Sequence, residues 1–232
     1  MKTCFVDSRI SEEELDTLSK EISNIIKVPK SPYLYDSISA HPDIQVNIIS
    51  NTKIIIASNS QLDISSNSLN NISILKSEKL LKDKYPENIF LNAVNLKDFF
   101  IHNLKYTDKV LLDEIKTKNL INIKQGYAKC STAIVNDNAL ITSDVGIYKS
   151  LKPYPIDVLL ISSGDINLPG LPYGFIGGSC GLIAEDKLAF FGNLKFHNYK
   201  DEIEKFLYKH NVEPIYLSNS SLIDRGSILS IY

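Results

Sequence analysis

The stretch Cys130-Ser131-Thr132-Ala133-Ile134-Val135-Asn136-Asp137-Asn138-Ala139-Leu140-Ile141-Thr142-Ser143 decides how the chain is read. Two short β-rich runs, Cys130 to Val135 and Ala139 to Ser143, meet at the polar turn Asn136-Asp137-Asn138, which is the pattern of a β-hairpin. The signal recurs. Gln45 to Ser50 meets Lys53 to Ser58 at Asn51-Thr52, and a weaker pair, Asn92 to Asn95 with Phe99 to His102, turns at Lys97-Asp98. Cys180 to Ala184 meets Leu188 to Gly192 around Glu185-Asp186-Lys187, and Ser221 to Ile223 meets Ser227 to Ile231 around Asp224-Arg225-Gly226. The turns follow one another at intervals of 39 to 49 residues, so five units use up the chain.

Between hairpins the apolar period changes to that of a helix followed by a buried strand. Ser11 and Glu14 form a capping-box pattern, after which Leu15, Leu18, Ile22, Ile25 and Ile26 make one apolar stripe. Ser77 is placed to cap a short helix carrying Leu80 and Leu81 that stops before Pro86, and Asp108 one carrying Leu111, Leu112 and Ile115. Asp144 starts a brief fourth helix and Asp201 a fifth, carrying Ile203, Phe206 and Leu207. Short β-rich runs follow, such as Ile121 to Ile123, Asp157 to Ser162 and Pro214 to Leu217. Each unit reads helix, strand, hairpin. Such a unit cannot bury its own apolar face, so several must pack together, and five of similar length can close into a ring. The expected fold is an α/β, five-fold pseudosymmetric β/α propeller, a single domain over residues 1–232, with helices outside and strands around an axis.

Composition bounds the function. With 232 residues, 44% of them hydrophobic, the chain can bury a substantial core. Twenty-five basic against twenty-seven acidic residues give a net charge of −2, which offers no field for gathering nucleic acid or an anionic membrane. No apolar run is long enough to span a bilayer. The beginning of the chain, Met1 to Asp7 followed by Ser11-Glu12-Glu13-Glu14, has no stretch resembling a signal peptide, so a cytoplasmic location is expected. Three cysteines without a C-x-x-C pair suggest neither a disulfide framework nor a structural zinc site. His102, His197 and His210 lack the spacing of metal ligands, and His210 reads as a favourable cation at a helix C-terminus. No metal or cofactor is expected.

Unusual residues share one phase of the repeat, at or just before the first hairpin strand. They are His41 and Asp43 in the first unit, Asn92 in the second, and Lys124, Gln125, Tyr127, Lys129 and Cys130 in the third. The fourth unit offers Gly177, Gly178, Ser179 and Cys180, and the fifth Asn219, Ser220 and Ser221. If the repeats are related by rotation about one axis, these groups converge at one mouth of the ring.

Each has a functional and a structural reading. His41-Pro42-Asp43 is an acid/base with its orienting carboxylate, or a proline turn capped by Asp43 that leaves His41 exposed. Cys130 is a nucleophile whose thiolate is favoured by Lys129 and Lys124, or a small buried hydrophobe. Gly177-Gly178-Ser179-Cys180-Gly181 is a cradle of backbone N–H groups, or a tight entry to the fourth hairpin. Asn92 and Gln125 are ligand hydrogen-bonders or satisfy nearby backbone, and Asp144 is a helix cap.

The order of elements resembles the pentein, or guanidino-group-modifying, fold of arginine deiminases, amidinotransferases, dimethylarginine hydrolases and an anti-association translation initiation factor. More narrowly, His41-Pro42-Asp43, Tyr85-Pro86-Glu87-Asn88 with Leu91-Asn92-Ala93, Lys124 to Ser131 and Tyr173-Gly174-Phe175-Ile176-Gly177-Gly178 resemble an uncharacterised bacterial family assigned to that fold. The resemblance implies chemistry in which a cysteine attacks the central carbon of an amidino or guanidino group, a histidine transfers protons and carboxylates hold the cation. The corresponding residues here are Cys130 or Cys180, His41 and Asp43. The pattern departs from those enzymes in one respect: their nucleophile belongs to the final repeat, which here holds Ser220, Ser221 and Asp224 but no cysteine.

Two classes of function follow. One is a hydrolase or group-transfer enzyme acting on a small polar metabolite in an axial pocket, with Cys130, His41 and Asp43 reacting and Asn92, Lys124, Gln125, Tyr127, Lys129, Gly178, Ser179 and Cys180 binding. The other is a noncatalytic protein-binding module or small-molecule sensor on the same fold. The partner is accordingly a small polar ligand or a protein, not a membrane or nucleic acid.

Overall fold

The computed structural model describes residues 2–63, 69 and 71–232. It opens with β1 (Thr3–Asp7), whose every residue is buried, α1 (Glu12–Ser19) and β2 (Asn24–Val28). The expected capping box starts α1: the Ser11 hydroxyl accepts from the Glu14 N–H while Glu14 Oε2 accepts from the Ser11 N–H. A single turn, α2 (Pro42–Gln45), then leads into β3 (Val46–Ser50), β4 (Lys53–Ile56) and β5 (Ser73–Lys76). Next come β6 (Val94–Asn95), β7 (Phe99–His102), α3 (Lys109–Glu114) and β8 (Asn119–Asn122). Cys130 to Ser143 holds β9 (Thr132–Asn136) and β10 (Ala139–Thr142), followed by α4 (Val145–Leu151) and β11 (Asp157–Leu160). Last are β12 (Cys180–Ala184), β13 (Lys187–Phe190), α5 (Lys200–Lys209), β14 (Glu213–Tyr216) and β15 (Leu229–Ile231).

Among the described residues these strands make five sheets of three, all with one plan. An inner strand pairs antiparallel with a middle strand, and the middle strand pairs parallel with an outer one. Four hairpins fall where the turn signals put them. The fifth does not. Ser221 to Ile223 forms no hairpin with Ser227 to Ile231; β15 instead pairs antiparallel with β1, Phe5 opposite Leu229 and Thr3 opposite Ile231. The reason lies at the other end of the chain: Cys4, Phe5 and Val6 are wholly buried, so β1 needs a neighbour on each side, and β2 supplies only one. A search for adjacent strands cannot see a pairing that joins the two ends of the sequence.

The helices agree in part. Asp108 caps α3 through the Val110 N–H and Asp144 caps α4 through the Ile147 N–H. The segment expected to be a helix after Ser77 is not one, because the Ser77 hydroxyl accepts from the Ser58 N–H and donates to Lys79 O, tying the chain to β4's exit instead. Helix α5 starts at Lys200 with no side-chain cap, and Asp201 and Glu202 in its first turn complement its dipole.

The inner strands stand side by side around an axis: β12 touches β9 and β15, and β15 touches β3. Between β3 and β6 two asparagines do the joining. Asn47 Nδ2 donates to Leu91 O and Ala93 O, and Asn95 Nδ2 donates to Ile48 O and Ile49 O. Apolar side chains fill the space between neighbouring units, as where Ala133 and Ile141 meet Cys180, Phe190, Ile203 and Leu207. Each large side chain so buried contributes about 1.5–3 kcal/mol. No helix among the described residues is long and apolar enough to cross a membrane.

Candidate functional site

The ends of the inner strands nearest their entry bring five separate segments together. Asp43 arrives on α2 just before β3, Asn92 just before β6, Cys130 and Lys129 just before β9, Gly177 just before β12 and Ser227 just before β15. Cys130 Sγ donates to Asp43 Oδ2 at 3.0 Å. Asn92 clamps this pair: Nδ2 reaches Cys130 Sγ at 3.3 Å and Asp43 O at 3.1 Å, while Oδ1 accepts from the N–H groups of Lys129 and Cys130. The Ser227 hydroxyl lies 2.7 Å from both Asp43 Oδ2 and Gly177 O, and Lys129 Nζ donates to Ser227 Oγ at 3.0 Å and to Gly177 O at 3.3 Å. Asp43, Asn92, Lys129, Cys130 and Ser227 are all buried.

His41 is buried beside them, 1% exposed, which overturns the reading that leaves it on the surface. Its Nδ1 stands 3.9 Å from Asp224 Oδ1. Neither ring nitrogen meets a hydrogen-bond partner among the described residues, and neither does Asp43 Oδ1. Two glycines make this crowding feasible. A Cβ on Gly226, which has φ +67°, would lie 2.2 Å from His41 Cβ, and one on Gly178 would lie 2.0 Å from Asp224 Oδ1. Asp224 itself is held by the N–H groups of Phe175 and Gly226.

The electrostatics follow from burial. Desolvation raises the Asp43 carboxyl, opposed by the Lys129 charge, and raises Asp224, opposed by His41. It lowers His41, leaving the imidazole neutral. The Cys130 thiol is pushed well above its ordinary value, first by burial and then by the charges of Asp43 and Asp224. This reverses the expectation that nearby lysines favour the thiolate: Lys129 turns to Ser227 and Gly177, Lys124 is exposed, and the sulfur faces a carboxylate.

Other residues singled out in the sequence stand outside the cluster. Gln125 donates to Asp144 Oδ2, Tyr127 donates to Asn88 Oδ1, and the Ser179 hydroxyl donates to Ile176 O. Cys180 packs in the apolar core with its thiol pushed up to about 12 by burial. Gly178 contributes backbone, donating to Cys130 O and accepting from the N–H groups of Arg225 and Ser227. Asn219, Ser220 and Ser221 do not join the cluster. Ser227 and Asp224 do, and sequence reasoning missed them in these places because the misassigned fifth hairpin shifted the phase of the last unit by six residues. With β15 as the inner strand, Ser227 stands in the phase that Cys130 occupies before β9.

Along the axis an open cavity of about 1070 Å³ runs between the inner strands, from the turn residues Asn51, Lys97, Asp137 and Glu185 to Asp43 and Lys129. A small polar molecule entering it meets the carboxylate and the ammonium of the cluster. Asp43 and Lys129 line this cavity, while Cys130, His41 and Asp224 lie outside its lining, with Cys130 joined to it through its hydrogen bond to Asp43.

A family model described as a family of unknown function, DUF6873, matches residues 5–229. The chain belongs to this family. Among curated proteins none matches by sequence. Two solved structures resemble the DUF6873 chain over nearly its whole length. One is DDAH from Pseudomonas aeruginosa, a Cys-to-Ser mutant complexed with citrulline, at 11% identity and TM-score 0.53, covering 92% of this chain and 91% of that one. The other is SxtG, an amidinotransferase from Microseira wollei in the saxitoxin biosynthetic pathway, at 10% identity and TM-score 0.52, covering 99% and 94%. At such identities the likeness shows the fold alone, and that fold is the pentein-like propeller.

Proposed function

We propose that this chain is a cysteine-dependent hydrolase or amidino-group transferase acting on a small cationic amidino or guanidino compound, with residues 1–232 as one pentein-like domain. The observation that carries the reading is the 3.0 Å contact from Cys130 Sγ to Asp43 Oδ2 at the axis of the ring. A resting thiol this buried is protonated, so it needs help to attack. A guanidinium drawn to Asp43 and Asp224 brings the positive charge that favours the thiolate, and Asp43 is placed to take the proton. Sulfur then bonds to the central carbon while the C=N electron pair moves to nitrogen; the C–N bond to the leaving amine breaks as that amine takes up the proton. Water or an acceptor amine releases the carbon from sulfur. Asp43, not His41, is the group next to the thiol; neutral His41 acts as a proton acceptor, taking up the proton that Asp43 received from the thiol and passing it to the leaving nitrogen. The likeness to DDAH and an amidinotransferase supports the substrate class.

The test is covalent trapping. An α-haloacetamidine should add once to the wild type, on Cys130 by peptide mass spectrometry, and guanidino compounds should protect against it. Cys130→Ser should abolish the adduct and Cys180→Ser leave it. An adduct absent from Cys130, or insensitive to every guanidino and amidino compound tried, would defeat the proposal.

A sensor or binding module on the same site is the second reading, favoured by one observation: Cys130 is only 3% exposed. It predicts binding of such a compound to wild type and Cys130→Ser alike, with no chemical change in the ligand.

A further inference from the structure

We propose that His41, Asp43 and Cys130 form a three-ligand zinc site. One nitrogen, one carboxylate oxygen and one sulfur, from residues distant in sequence, have ligand atoms all within 4.8 Å of one another. The imidazole is the informative member. It is 1% exposed, lies against the thiol and carboxylate, and leaves both nitrogens without partners among the described residues, as Asp43 leaves Oδ1. A buried polar group without a partner is costly, and an ion bound here would satisfy one imidazole nitrogen and a carboxylate oxygen. Zinc takes such ligands at about 2.0–2.3 Å, which puts ligand atoms about 3–4 Å apart around a tetrahedral ion, so small side-chain rotations suffice.

The donor set selects the metal. Thiolate and imidazole suit zinc better than magnesium or calcium, which prefer oxygen. The charges of Asp43 and the Cys130 thiolate balance those of the ion, and the thiol proton leaves to solvent as the ion enters. Asn92 at the sulfur, Ser227 at Asp43 Oδ2 and Asp224 near the imidazole supply the outer contacts that orient metal ligands, while Lys129 is the competing cation. The site shares all three side chains with the proposed enzyme but does not rest on that reading, so its test measures binding without turnover.

The 232-residue chain, stripped with chelator and kept reduced, is titrated with Zn²⁺ by equilibrium dialysis and with Co²⁺ by absorption. One equivalent should bind, and the cobalt form should show a thiolate-to-metal charge-transfer band. His41→Ala and Cys130→Ser should each weaken binding at least about tenfold, the loss typical even of an outer-shell partner. Cys180→Ser should bind as wild type does. No stoichiometric ion, or affinity unchanged in folded His41→Ala and Cys130→Ser, overturns the site. If those variants do not fold, the wild type still decides: bound cobalt without a thiolate band rules out Cys130 as a ligand. Zinc failing to bind while the haloacetamidine adduct forms would leave the catalytic reading standing alone.

Discussion

Cys130 and Asp43, 87 residues apart in the chain, share a hydrogen bond of 3.0 Å at the axis of the ring, with the thiol as donor. The contact sets two chemical states against each other. Burial and the carboxylate charge keep the sulfur protonated, while the same carboxylate waits as the nearest proton acceptor. In the two proposals made above, what tips the balance arrives from outside, as a cationic substrate or as a metal ion.

The thiol's titration should therefore move with Asp43. In metal-free buffer, alkylation of wild-type Cys130 should lag behind that of an ordinary thiol, whose pKa is about 8.5. Asp43→Asn removes both a raising charge and a raising hydrogen bond, so its alkylation-versus-pH curve should shift to lower pH. Peptide mass spectrometry reads both curves; a wild-type midpoint at or below the ordinary value contradicts the electrostatic picture.

His102 links pH to folding. Burial holds its pKa at about 4, against 6.5 for the free side chain. Its Nε2 faces Gly126 O and so carries the proton, leaving Nδ1 to accept from Thr107 Oγ1 at 2.7 Å. The unfolded chain takes up a proton below 6.5 that the folded chain refuses until about 4. Stability from this group is complete above 6.5 and falls as pH drops through the window, by on the order of 3 kcal/mol. Asp43 and Asp224, with raised values, act in the opposite sense, so the comparison is with His102→Gln. Urea midpoints from pH 7 to 4.5 should fall less steeply in the variant; parallel slopes would count against a neutral buried histidine.

Ring closure through β15 should be a large part of stability. Deleting Leu229–Tyr232 uncovers the edge of β1 and removes Leu229 and Ile231 from their apolar cluster. The truncated chain should melt at lower temperature and elute as aggregates in size-exclusion chromatography. A monomer with unchanged melting would mean that β1 does not depend on the closing strand.

Two phenylalanines separate burial from mere hydrophobicity. Phe190, the last residue of β13, is fully buried, and Phe196 is 49% exposed. Phe190→Ala should cost about 3–5 kcal/mol, and Phe196→Ala about 0.5 kcal/mol or less. Chemical denaturation measures both, and equal losses would contradict the packing described.

What the sequence determined by itself was local. Asn51-Thr52, Lys97-Asp98, Asn136-Asp137-Asn138 and Glu185-Asp186-Lys187 turn the chain through their own backbone preferences, and Ser11, Asp108 and Asp144 cap helices two or three residues away. From these short-range signals the repeat, the ring and the shared phase of His41, Asp43, Asn92 and Cys130 could be read. Tertiary structure alone decided what depends on distant partners. Ser77 gave up a helix for a bond to Ser58, and β15 left its supposed hairpin for β1 because a buried strand must be paired on both sides. That re-pairing carried Ser227 and Asp224 into the site. Asp43, not a lysine, came to face the sulfur, since side-chain direction at the axis is set by which five segments meet there and no spacing along the chain encodes it.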